Sequence, residues 1–138
     1  ANLAKAIVSI GAVKAFEVGD GTKVAKAFGS GNNDDFIADD NGNITKLTNH
    51  AGGILGGISD GSDVLVRAYF KPTPSIFKEQ KTVNKSGENI SINIKGRHDP
   101  IIVPRAVVVV ESMVALTVLD MLLISMTSDI EKIKKFFE

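Results

Sequence analysis

Cysteine is absent from the 138 residues. That excludes disulfide scaffolds, thiolate zinc sites and cysteine nucleophiles, and it agrees with a reducing compartment. Tryptophan is absent as well, and the aromatics are seven Phe and one Tyr. Few platforms remain on which single-stranded nucleic acid could stack. Neither sign of charge is in excess, since 16 basic residues balance 16 acidic ones. Composition therefore leaves no electrostatic footprint for nucleic acid or an anionic membrane, and neither partner is expected. His50 and His98 are the only histidines and lack HxxH-like pairing, so no metal site is assigned.

What is present reads as one globular domain. Hydrophobic residues make up 43% and charged residues 23%, which separates the chain from disordered sequences. Its length is that of a domain able to bury about two-thirds of its unfolded surface. The chain starts Ala1-Asn2-Leu3, already in a helical pattern with Ile7 and Val8, and without a signal-peptide arrangement. The expectation is a segment from within a longer, cytoplasmic protein.

Residues 106–126 are mostly apolar and long enough to span a bilayer. Glu111 and Asp120 interrupt them. Each acid would cost roughly 2.5–3.5 kcal/mol near a bilayer centre. Their spacing puts them roughly 180° apart on a helix, so one polar side cannot shelter both. The expectation is a helix from about Pro104, apolar nearly all round and buried between layers of a soluble protein.

Elsewhere the pattern is shorter. Residues 3–9 read as the end of a helix, 12–18 as a strand, 22–28 as a short helix and 29–35 as a loop. Asn41-Gly42 between two apolar stretches predicts a hairpin. An EF-hand loop in this region would start at Ile37 and end at Thr48, neither of which supplies a carboxylate, so calcium is rejected. Residues 63–70 alternate as a strand. Residues 80–83 and 89–94 are strand candidates about Ser86-Gly87, and Ile130, Ile133, Phe136 and Phe137 mark a short amphipathic tail helix. The fold class is α+β, antiparallel β-sheets packed on a long buried helix.

Three stretches could carry chemistry. Residues 49–61 hold five of the 13 glycines. Gly52 and Gly57 have Walker A spacing, but Ile58 stands where the lysine must be, and no GxGxxG occurs. What survives is a backbone able to bend sharply or approach a ligand closely. Lys71–Ser75 (KPTPS) combines a cation, two hydroxyls and a stiff backbone, suited to a phosphate or an anionic ring system, or simply to a strand exit. Arg97-His98-Asp99-Pro100 places an anion-binding guanidinium beside two proton-transfer groups, or is a solvated loop before a helix. In an extended segment Arg97 and Asp99 share one side and His98 takes the other.

SIGAVKAFEVGDG at 9–21, NHAGGILGGISDG at 49–61, KPTPSI at 71–76 and GRHDP at 96–100, followed by PRAVVVVES at 104–112, resemble in order and spacing the C-terminal part of chorismate synthase. The resemblance implies an FMN-dependent lyase. It would convert 5-enolpyruvylshikimate 3-phosphate to chorismate and phosphate by an anti-1,4 elimination, using reduced FMN without net redox change. It further implies a homotetramer with a β-α-β sandwich and helices between antiparallel sheets, in the shikimate pathway of aromatic amino-acid biosynthesis. NADP enters as a source of reducing equivalents for the flavin, a point the residues leave open.

On this resemblance the cofactor-binding residues are Gly11, Ala12, Gly56, Lys71, Pro72, Thr73, Pro74, Ser75 and Arg97. Asp99 is the catalytic residue, handling a proton beside flavin N5. Many family members have Asn or Pro at the position of Gly11 and Ser at that of Pro74, so a side-chain contact at Pro74 is not carried over. The family's N-terminal signatures, of GESHG and GRSSARET type, are absent from this sequence, and with them both catalytic histidines. Residues 1–138 are accordingly expected to be a C-terminal fragment, inactive in isolation. The alternative is a non-catalytic flavin-binding or assembly module.

Overall fold

The computed structural model describes all 138 residues. Eight short strands follow in chain order: β1 Val13–Val18, β2 Phe36–Ala38, β3 Ile44–Lys46, β4 Ile54–Leu55, β5 Ile58–Ser59, β6 Val66–Phe70, β7 Gln80–Val83 and β8 Asn89–Ile92. The helices are α1 Asn2–Val8, α2 Gly29–Asn32, α3 Val103–Met126 and α4 Ile130–Phe137, with a 3-10 helix at Gly21–Lys26. The strands pair antiparallel as β1–β6, β2–β3, β4–β5 and β7–β8. The class is α+β, but the strands form four separate two-stranded sheets rather than broad layers.

The hairpins follow from their turn residues. Asp39 holds the β2–β3 turn: its Oδ1 accepts from the N–H groups of Asn41 and Asn43 at 2.9 and 2.8 Å, and Gly42 takes φ +81°. Asn84 does the same for β7–β8, accepting from Ser86 N–H and Glu88 N–H at 2.9 Å each. The strand expected over 89–94 ends at Ile92, where the pairing stops. The β6 alternation holds, with Val66, Ala68 and Phe70 half-buried and Arg67 and Tyr69 exposed. That strand starts later than expected, at Val66. Residues before it are drawn onto the glycines instead: Leu65 N–H donates to Gly52 O at 3.2 Å, and Gly19 N–H donates to Leu65 O at 2.9 Å.

Two local expectations are corrected. Residues 29–35 do not form a plain loop, because one helical turn, α2, closes when Asn33 N–H donates to Gly29 O at 3.2 Å. The helix expected over 22–28 is a 3-10 helix ending at Lys26.

The expected core does not form within this chain. Five residues are buried, namely Ile7, Val13, Gly19, Gly52 and Gly53. Three of the five are glycines, buried by backbone against backbone. A Cβ on Gly19 would lie 2.0 Å from His50 O, and one on Gly52 would lie 2.4 Å from Gly19 N. Only glycine permits that approach.

Helix α3 forms as expected over 24 residues, with Pro104 in its first turn. None of its residues is fully buried by this chain alone, so its expected cover between layers would have to come from outside these 138 residues. Ala106, Val110, Met113, Thr117 and Met121 form a half-buried stripe, and α1 packs on this helix. Asn2 Nδ2 donates to Met121 Sδ at 2.9 Å across that contact. The rest lies open, with Val108 63% and Leu116 61% exposed. By length and composition α3 could cross a membrane. Ser112 and Thr117 hide their hydroxyls by donating to the carbonyls of Val108 and Met113, at 2.8 and 2.7 Å.

Candidate functional site

The β1–β6 pair brings two of the sequence-singled segments together. Val13 lies opposite Phe70, and one residue beyond, Lys71 N–H donates to Ala12 O at 2.8 Å. Gly11 and Ala12 therefore lie beside Lys71–Ser75 at one end of the ladder. A register shift between Val13 and Ala15 sits at the same end, the kind of bulge that re-aims side chains beside a site. Ala12 has φ +70° and is the only non-glycine residue in the left-handed region. For an alanine this costs about 1–2 kcal/mol. Gly11 has open space where a Cβ would stand.

Lys71–Ser75 is irregular, as its two prolines require. Pro74 O accepts from Gln80 Nε2 at 3.0 Å, which pins the segment to the start of β7. Thr73 Oγ1 is buried and bonds to nothing. It is the one buried side-chain oxygen or nitrogen in the chain without a partner.

Arg97 and Asp99 stand outward on the loop between β8 and α3, while His98 turns inward and is half-buried. The alternation expected of an extended segment is seen. The His98 ring meets Phe77 edge to face, centroids 5.3 Å apart, and its Nε2 lies 3.4 Å from Ile94 O. Since Phe77 lies two residues after the proline segment, this contact joins the two loops. The Asp99 carboxylate accepts two bonds from Arg105 of α3, from Nη1 at 2.6 Å and Nη2 at 3.2 Å. Arg97 has no hydrogen bond or ion pair to protein, so its guanidinium is available.

Gly56 stands apart from these groups. Gly56 (φ +59°) and Gly57 (φ +84°) make the tight β4–β5 turn, as hairpins of two central left-handed residues require. No hydrogen bond ties that turn to Ala12, Lys71–Ser75 or the Arg97 loop. The glycine zone is instead anchored from residues that sequence reading did not single out. Asp34 Oδ1 accepts from Thr48 Oγ1 and His50 N–H, each at 2.7 Å, and its Oδ2 accepts from Ala51 N–H at 2.9 Å. Desolvation pushes the Asp34 carboxyl up, but the bonds from Ala51, Thr48 and His50 outweigh it and hold it below the ordinary range. His50 Nδ1 lies 2.7 Å from Asp20 Oδ2. Lys46 pairs with Asp60 at the far end of the zone. Arg105 and Asp34 escaped sequence reading because their partners are set by the fold or the helix start, not by a motif.

The family model for chorismate synthase matches residues 1–123. A chorismate synthase from Lachnoclostridium phytofermentans is 67% identical over all of this chain, which covers 38% of that protein. One from Methanocaldococcus jannaschii is 54% identical over 88% of this chain and 32% of its own length. A crystal structure of chorismate synthase superposes with a TM-score of 0.69 at 31% identity, over 99% of this chain and 33% of the other. The chain thus spans about a third of the length of these relatives. The match extends through the Ala12 junction, the glycine zone, the proline segment and the Arg97 loop, and on that extent the chain belongs to the chorismate synthase family.

Proposed function

We propose that this chain supplies the flavin-side part of an FMN-dependent lyase that converts 5-enolpyruvylshikimate 3-phosphate to chorismate and phosphate. The elimination is anti-1,4, in the shikimate pathway, and the working enzyme is a cytoplasmic homotetramer with α3 covered inside it. Thr73 carries the reading. A buried hydroxyl left unbonded costs about 1–3 kcal/mol, and this one lies two residues after Lys71, whose N–H donates to Ala12 O. Three further features suit reduced FMN. Gly11 leaves open space beside the strained Ala12. Lys71 offers a cation, and Arg97 offers an unengaged guanidinium for a phosphate or carboxylate.

Gly11, Ala12, Gly56, Lys71–Ser75 and Arg97 would hold the cofactor. Reduced FMN, when bound, supplies electron density to an elimination without net redox change. Within this chain, Asp99 would be the proton-handling group, its carboxylate held by Arg105. Arg97 clamps an anionic group, and the stiff Lys71–Ser75 backbone orients the ring with little ordering cost. Protonation of the departing phosphate falls to histidines in the family's N-terminal signatures.

The openness of α3 and the near absence of buried residues favour a second reading, that of a non-catalytic assembly module. Flavin titration and turnover separate the two. The full-length enzyme carrying this sequence should bind reduced FMN and form chorismate. Failure to bind FMN would reject the cofactor reading and leave the assembly role.

A further inference from the structure

We propose that Arg105 is a positioning residue for Asp99, holding its carboxylate plane in a single orientation at the start of α3. This rests on the reading of Asp99 as the proton-handling group. The contact is a two-pronged fork, Nη1 to Oδ2 at 2.6 Å and Nη2 to Oδ1 at 3.2 Å. A fork fixes the plane of a carboxylate as well as its place, which one ammonium cannot do.

Stability does not account for the pair. Arg105 lies in the first turn of α3, where the helix dipole disfavours a cation, and that turn holds no acidic residue of its own. The two side chains are 76% and 47% exposed, and exposed ion pairs contribute little to folding. Geometry does account for it. Ile102 O accepts the N–H groups of Arg105 and Ala106, each at 3.1 Å, so the arginine is built onto a fixed helix start. His98, one residue before Asp99, is seated on Phe77 and near Ile94 O. The loop is thus held from both sides, by an aromatic contact at His98 and by the fork at Asp99. Arg97 is left free between Gly96 and His98. Neighbouring charges are thereby sorted: Arg105 is spent on Asp99, and Arg97 remains for a ligand.

A double-mutant cycle in the full-length enzyme tests this, with kcat read at saturating substrate and FMN. Asp99→Asn should lower kcat by roughly 10²–10⁴-fold. Arg105→Met should lower it by about 10²-fold through misplacement of the carboxylate. Arg105→Lys keeps the charge but not the fork and should lose about tenfold. In the Asp99→Asn background, Arg105→Met should cause no further loss, and a crystal structure of the FMN-free Arg105→Met enzyme should show Asp99 in more than one rotamer. Additive losses, a raised KM with kcat unchanged, or a single undisturbed Asp99 rotamer would each overturn the proposal. A silent Asp99→Asn rejects the underlying reading by itself. A strong Asp99→Asn effect beside a silent Arg105→Met rejects the positioning role alone.

Discussion

Thr73 and Arg97 are both polar groups without protein partners, but for opposite reasons. The Thr73 hydroxyl is enclosed and pays a desolvation cost, whereas Arg97 is exposed and hydrated. Their tests differ accordingly. Thr73→Val removes the orphaned oxygen at nearly constant volume. In the FMN-free enzyme it should leave thermal stability unchanged or raise it by about 1 kcal/mol. With FMN it should weaken binding by about tenfold, the value of one hydrogen bond in a dry site. Flavin titration checks this, and unchanged affinity would show that the hydroxyl faces no cofactor. Arg97→Ala should weaken binding of FMN or substrate by roughly 1.5–3 kcal/mol, the range for a charge-assisted bond. Unchanged affinity for both ligands would assign Arg97 to a solvated loop.

At the scale of elements, the segment from α2 through β3 acts as a strap over the glycine zone. Asp34 ties one end to residues 48–51, and Lys46 ties the other to Asp60. The Lys46 and Asp60 side chains are only 6% and 13% exposed. The bond from Lys46, joined by Ser62 N–H, lowers the Asp60 carboxyl to about 2. Both carboxyls sit below their ordinary values in the folded state, so the stabilisation they lend is fully present above pH about 4. It is lost as pH falls through the folded values. The Lys46–Asp60 tie should therefore hold at neutral and mildly acid pH and be lost as pH falls toward about 2, and the Asp34 tie should likewise be lost only below the ordinary carboxylate range. The amide resonances of His50, Ala51 and Ser62, followed in an acid titration, would report it. Release above pH 5 would contradict the assignment.

The elements of that strap also show what the sequence discloses. The β2–β3 hairpin was legible because Asn41-Gly42 encodes its turn locally. Helix α3 was legible from its length and apolar content, and β6 from its alternation. The bonds from Asp34 join residues 14 to 17 apart, a pairing that no local pattern carries. The burial of Gly52 against Gly19 is of the same kind, since glycine density announced a close approach but not its partner. At the site, the resemblance supplied the residues, but neither motif nor spacing showed the Arg105 fork or the unbonded Thr73 hydroxyl.

The whole molecule exposes 10933 Å². A folded monomer of 14.6 kDa should expose about 6,900 Å². The excess, about 4,000 Å², is more than one partner's share of a typical obligate interface. Much of it is apolar, including Phe28, Phe36, Leu116, Leu122, Phe136 and Phe137. With two buried hydrophobic side chains, Ile7 and Val13, hydrophobic burial within this chain is far too small to offset chain entropy. On the proposed reading, the apolar surface of α3 would pack against further protein of the same enzyme. A bilayer is the poorer cover, because Glu111 and Asp120 lie on opposite sides of the helix and one or the other would face lipid. The purified 138-residue chain should bind hydrophobic dyes, unfold without a cooperative transition and form no chorismate above a no-enzyme control. Co-expression with the remaining part of a family enzyme should restore a sharp thermal transition and turnover together, because covering α3 and completing the site are one event. A cooperative transition in the isolated chain would refute the need for a cover. Chorismate formation by the isolated chain would refute the need for the histidine-bearing signatures.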